Sequence, residues 1–381
     1  MDVKAVILIG GARNEGTEQL GGIPIGLLDV LGRPILERVL DRLEKFGISG
    51  AAVVTEIPAS SVPLARGSIR PGMQWSEAQG SQFWRAAESA FNDFAQGGSE
   101  LVLVVRLGAY AELDYEDLVQ FHLDAGCRVT RVSDGAGIPL DTFVISASRR
   151  NDAAYLFRHE LQEMRVPCDD YRFAGYINHL RDPKDFRVLA LDGFAGIANL
   201  PPCGKQIKPG VWLGENARIH RNARLLAPCF VGANSNVRAA ALLTRGSVVE
   251  HHTEVDCGTV VENSSILQTT KVGAGLDVTH SVVGFQKIWN LRRAVEVEIE
   301  DRQLVSTLRS APVRMLNNAA EMALMFTRTM AQTLLGRKSA RTPELREALC
   351  QPAAALKTSE HTREEGLPAG DLLSVRRYGN E

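Results

Sequence analysis

The residues best placed to do chemistry are a Gly10–Gly11 pair that closes the apolar run Val3–Ile9. Two glycines directly after a buried strand let backbone N–H groups approach a phosphate, and they equally serve a plain tight turn. Four histidines, His220, His251, His252 and His280, fall between residues 207 and 284. A histidine held in a cleft can act as the base in acyl transfer, whereas one on a solvated face or a turn does nothing of the kind. The six cysteines (Cys127, Cys168, Cys203, Cys229, Cys257, Cys350) are scattered without a CxxC pair, which argues against a zinc site or a disulfide framework and for thiols in a reducing compartment.

Stepping from these residues to what must hold them, a chain of 381 residues with 45% apolar and 23% charged content is long enough for two domains with separate cores. The net charge of −2 gives no reason to expect nucleic acid or an anionic membrane as partner. The opening apolar run is too short for the layout of a signal peptide, and no apolar stretch approaches the ~18 residues of a membrane span, so a cytoplasmic protein is expected.

Residues 3 to about 200 alternate strand-like and helix-like runs. Val3–Ile9, Ala51–Thr55 and Leu101–Val105 read as strands. Ile35–Phe46 has apolar residues at Ile35, Leu36, Val39, Leu40 and Leu43, the spacing of a helix face, and Phe83–Phe94 and Tyr115–Ala125 also read as helices. This order implies an α/β fold with a mostly parallel sheet, whose ligands bind at the carboxyl ends of the strands.

From Ile207 an aliphatic residue recurs every six positions: Ile207, Leu213, Ile219, Leu225, Val231, Val237, Leu243, Val249, Val255, Val261, Leu267. Four residues after each of the first ten stands a small or β-branched residue, from Val211 through Ser235 and Thr253 to Ser265. After Leu267 the phase slips by one and resumes at Val272 and Val278. Each hexad is read as a short strand plus a turn forming one side of a triangular coil, the aliphatic residue filling the interior and the small one fitting near the corner. A single hexad cannot bury its apolar side, so stability must come from stacking. The stretch resembles the hexapeptide-repeat left-handed parallel β-helix family. Such prisms serve either acyl transfer or oligomerisation and domain packing.

The first region resembles the sugar-1-phosphate nucleotidyltransferases, or NDP-sugar pyrophosphorylases. The resemblance rests on Gly10-Gly11-Ala12-Arg13-Asn14-Glu15, on Pro24-Ile25-Gly26-Leu27-Leu28-Asp29-Val30 followed by Gly32-Arg33-Pro34-Ile35, on Gly80-Ser81-Gln82, and on Leu113-Asp114 with Phe121-His122. It implies a Rossmann-like nucleotide-diphospho-sugar transferase domain, with Gly10, Gly11, Ala12, Arg13 and Gly80 as nucleotide-binding candidates. It also exposes departures. The family's triphosphate-binding arginine aligns with Glu15, its phosphate-neutralising lysine with Ile25, and its two magnesium-binding aspartates with Gly108 and Gly196. Misalignment around insertions would instead leave the acidic role to Asp114, Asp134 or Asp192.

Phosphoryl transfer needs positioned cations, and removing one such group costs a few kcal/mol of barrier. With these positions replaced, no catalytic residue and no metal ligand is assigned. The leading expectation is a catalytically degenerate member acting as a sugar-nucleotide sensor or as a regulatory or scaffolding subunit. It would form a homo-oligomer, or a hetero-oligomer with an active relative, and would bind a nucleotide or NDP-sugar as ligand, with no cofactor. The alternative is an active transferase making an NDP-sugar from an NTP and a sugar-1-phosphate, which would need Mg2+. A hexapeptide acyltransferase is the third reading. The expected domains are 1–200 (α/β), 205–285 (β-helix), 286–335 (a strand at Ala294–Ile299 and an amphipathic helix at Val313–Leu335) and 336–381 (a mobile tail).

Overall fold

The computed structural model describes residues 2–10, 19–20, 23–48, 50–57, 73–162, 165–308 and 375–377. The nucleotide-binding candidates Gly11, Ala12 and Arg13, together with Glu15, lie outside them, as does the expected helix Val313–Leu335.

The first half is built on a seven-stranded sheet: β1 (Val3–Ile9), β2 (Gly50–Thr55), β3 (Gln74–Glu77), β4 (Leu101–Arg106), β5 (Val129–Asp134), β6 (Pro139–Ser146) and β7 (Cys168–Phe173), in the order β7-β5-β6-β4-β1-β2-β3. Every neighbouring pair is parallel except those made by β6, which runs antiparallel to both β4 and β5. The helices are α1 (Ile35–Lys45), α2 (Ser81–Gln96), α3 (Tyr115–Ala125), α4 (Arg150–Arg158) and α5 (Pro183–Ala195).

The runs of Val, Leu and Ile in the central strands bury both faces, as a largely parallel sheet requires. Ala5, Ile7 and Ile9 of β1 join the core beneath α1, α3 and α5, while Val6 and Leu8 join the core beneath α2 and α4. α1 presents Ile35, Leu36, Val39, Leu40 and Leu43 to the sheet, as its spacing predicts. α3 begins at Asp114, whose carboxylate accepts from the N–H groups of Glu116 and Asp117, and it ends at a left-handed Gly126. α5 repeats the scheme with Asp182 as cap, Pro183 in its first turn and a left-handed Gly196 at its end.

The second half consists of three stacked parallel sheets. Val211–Leu213 pairs with Cys229–Val231, which pairs with Ser247–Val249, and the other two sides repeat the same 18-residue offset. The arrangement fits a β-helix. Val231, Val237, Leu243, Val249, Val255 and Val261 fill its interior, as expected. Four of the small residues carry hydroxyls that link coil to coil. Ser235 donates to Glu250 O at 2.7 Å, Ser247 to Val261 O at 2.7 Å, Thr253 to Leu267 O at 3.2 Å and Thr259 to Gly273 O at 2.5 Å, each tying one coil to the next.

Two details depart from the repeat as read from sequence. Val249 pairs with Ile266, and Val261 with Val278, so the coil shortens by one residue before Leu267 rather than after it. Ile266 occupies the interior, and Leu267 turns outward into the core shared with the α/β half. Ile207 is 46% exposed, because Lys205–Lys208 runs antiparallel to Val211–Leu213 and no coil lies beneath it. At the other end Lys287–Asn290 folds back on Ser281–Gly284, and Val295–Glu298 follows it, within the expected strand Ala294–Ile299. Val375–Arg377 adds one more antiparallel strand there, inside the region expected to be a mobile tail.

The coil packs against the α/β half through one of its sheets. Phe230, Val248, Leu267, Val282 and Trp289 belong to the same core as Leu28, Leu31, Leu36 and Leu200. The approach is close at Gly32, where an added Cβ would stand 2.8 Å from Phe230 Cζ on a backbone with φ +90°.

Candidate functional site

The carboxyl edge of the sheet collects Gly10 after β1, Glu56 after β2, Gly80 ahead of α2, Arg106 at the end of β4, and Asp134 and Asp141 at the β5–β6 turn. Gly10 has φ +126°, and an added Cβ would lie 2.6 Å from Glu56 Oε2. Only glycine fits there, whatever the loop beyond it holds. Gly80 caps α2 with φ +55° and no side-chain cap, and open space lies where a Cβ would be. Without a side-chain cap, the first turn of α2 uses backbone acceptors: Gln82 N donates to Gln79 O at 3.2 Å and Phe83 N to Gly80 O at 3.1 Å.

The charged centre of this edge is Arg106. Its side chain is only 1% exposed, its Nε donates to Gly10 O at 3.1 Å, and its Nη1 pairs with Asp141 Oδ2 at 2.8 Å. Asp141 reaches it because β6 carries a bulge against β5, and Asp141 there takes φ +51°, an uncommon conformation for a residue with a side chain. Two carboxylates and one guanidinium thus surround Gly10, and the guanidinium is bound to one of those carboxylates and to the Gly10 carbonyl.

Among the described residues, Ile25, Gly108 and Gly196 carry no charge for phosphate or metal. Ile25 is buried in a short 3₁₀ turn, Ile25–Leu27. Gly108 donates its N–H to Arg106 O in a tight turn, and Gly196 is the left-handed end of α5. The three alternative aspartates are used locally. Asp114 caps α3. Asp134 accepts from the N–H groups of Ala136 and Ile138, which together with His179 at 3.2 Å hold its carboxyl below the usual range. Asp192 accepts from Tyr176 Oη at 2.6 Å. Among the described residues no group of three His, Cys, Asp or Glu side chains could hold a metal ion. Among the described residues of this edge, Asp141 is already paired with the buried Arg106 guanidinium.

The histidines separate in an unforeseen way. His252 and His280 stand at left-handed corners of the coil, and His220 is exposed. His251 does lie in a turn, but it is buried between the two halves, where its Nδ1 is hydrogen-bonded to the buried Asp29 carboxylate. Beside it Glu250 accepts from Leu31 N and Gly32 N, both at 2.8 Å. Burial, and then the nearby Asp29 charge, push the Glu250 carboxyl up to about 8. Arg187 of α5 completes this junction, donating to Gly246 O at 2.6 Å, Ser265 Oγ at 3.1 Å and Asn263 Oδ1 at 3.1 Å, with burial lowering it to about 10. These groups tie the coil to the α/β half.

Sequence reasoning passed over Arg106, Asp141 and Glu56. The signal it had was slight: a charged residue closing the aliphatic run Leu101–Val105, and an aspartate inside the apolar Pro139–Ser146.

No helix among the described residues is long and apolar enough to cross a membrane. No family model and no curated protein matches the chain. Among solved structures, HddC from Yersinia pseudotuberculosis, and the same protein complexed with GMP-PN, each align with a TM-score of 0.39 at 16% identity, over 50% of this chain and 98% of HddC. A likeness of that size assigns no residue a role.

Proposed function

We propose that the chain is a nucleotidyltransferase-like protein with degenerate transferase chemistry, serving as a sugar-nucleotide sensor or as a regulatory or scaffolding subunit. Its coil is a left-handed β-helix of hexapeptide repeats that packs the α/β domain and pairs with a second copy or an active relative. The observation that carries the reading is the commitment of Arg106 to Asp141 and to the Gly10 carbonyl. A cation spent on an internal carboxylate cannot follow charge developing on a transferring phosphoryl group, and Asp141 so paired is a poor seat for magnesium. The buried, uncharged Ile25 supports the same conclusion.

Binding and turnover are separable here. A glycine turn such as that at Gly10 lets backbone N–H groups approach a phosphate even when the reacting charges are gone. Calorimetry on the full chain with nucleoside triphosphates and NDP-sugars tests this directly. A sensor gives heat that Gly10→Val abolishes. A scaffold gives none, and sedimentation then shows a defined oligomer. A monomer that binds no nucleotide overturns both forms of the reading.

One observation favours the active-transferase reading as runner-up: Glu56, Asp141 and Arg106 do place two carboxylates and a cation around Gly10. That reading requires Arg106 to release Asp141 when substrate enters.

A further inference from the structure

A second charged recess shares no residue with the Gly10 edge. It is a cavity of about 200 Å3 lined by Arg33, Arg38, Asp41, Arg42 and Lys45 on and before α1, by Tyr110, and by Asn199 and Pro201 of the link into the coil. Arg38, Arg42 and Lys45 follow one another at helical spacing, so one face of α1 turns three cations toward the same space.

The acids in reach do not balance these cations. Asp41 takes Arg33 at 2.7 Å. Glu112 stands 3.7 Å from Arg42 and is also occupied by Tyr110 Oη and by Asn199 N. Lys45 has no ion-pair partner among the described residues. Arg38 spends one nitrogen on Val30 O at 2.6 Å and Leu31 O at 3.4 Å, while its Nε is fully buried with no acceptor among the described residues. An incompletely compensated guanidinium in a half-buried recess is costly unless something supplies the missing negative charge.

We infer that this recess binds the phosphoryl group of a small phosphorylated molecule. Guanidinium groups suit the chemistry because their forked donors match phosphate oxygens bidentately, and Lys45 adds a mobile point charge at the rim. The volume sets the size of the ligand. Pockets for drug-sized ligands run to roughly 300–1,000 Å3, so a recess of about 200 Å3 suits a phosphate or a short phosphate monoester. The inference goes beyond the proposed function and does not depend on it.

The test is calorimetry on the full chain with inorganic phosphate and with glycerol 3-phosphate, using chloride at matched ionic strength as control. Saturable heat with either phosphate and none with chloride is expected, and tighter binding of glycerol 3-phosphate would identify a monoester as the better ligand. Lys45→Glu, at an exposed position that leaves the fold intact, should weaken binding at least tenfold, and Arg42→Gln should do likewise. Heat indistinguishable from chloride, or phosphate binding unchanged in both variants, overturns the inference.

Discussion

Replacing Glu250 by glutamine should flatten the dependence of stability on pH. The Glu250 carboxyl is fully enclosed, accepts two backbone N–H groups, and is raised from an ordinary 4.5 to about 8 by burial and by the charge of Asp29. Between those two values the folded chain holds a proton that the unfolded chain has released. The stabilisation is therefore complete below about pH 4.5 and is lost as pH rises toward 8. Each unit of pH in that window costs at most about 1.4 kcal/mol through this one group. Going from pH 5 to pH 8, wild type should lose on the order of 2–4 kcal/mol that Glu250→Gln does not lose. At pH 5 the variant should be the weaker by about 1 kcal/mol, because its amide offers one acceptor oxygen to two N–H groups. Urea unfolding of both proteins at pH 5, 6, 7 and 8 measures the difference. Parallel profiles, or a steeper fall in the variant, would refute the placement of a raised carboxyl between the two halves.

Other consequences follow from the same packing. Arg106→Met leaves the buried Asp141 carboxylate without its guanidinium and should cost about 3–5 kcal/mol in chemical denaturation. Leu243→Ala in the coil interior should cost about 2–5 kcal/mol, whereas Ile207→Ala, at an exposed position, should stay within about 0.5 kcal/mol by the same measurement. Arg187→Met should lower the thermal midpoint by loosening the coil from α5, and Lys184→Met, on the same helix, serves as control for helix effects.

The legibility of the sequence tracks how local each cause is. β1, α1 and α3 were readable because their apolar spacing is set by the neighbouring turn or pleat. The period of the coil was readable because stacking imposes the same demand at every sixth residue. The position of the slip was not, since Ile266 and Leu267 are both aliphatic and only the partner coil decides which one faces inward. The site was less legible still. Arg106 meets Asp141 across 35 residues of chain, through a bulge that no local pattern announces. His251 meets Asp29 across 222 residues, so a histidine that looked like a corner residue became part of a buried junction. That Ile25 carries no charge was visible as a residue type, but what Arg106 pairs with required the fold.

Pyrophosphate release measured across nucleoside triphosphates and sugar 1-phosphates with Mg2+, on wild type and on Gly10→Val, bears most directly on whether the charges at the sheet edge are spent on one another. No release above the protein-free rate is expected in either protein. Sustained release by wild type that disappears in Gly10→Val would contradict that expectation and would make the Gly10 edge a working transferase centre.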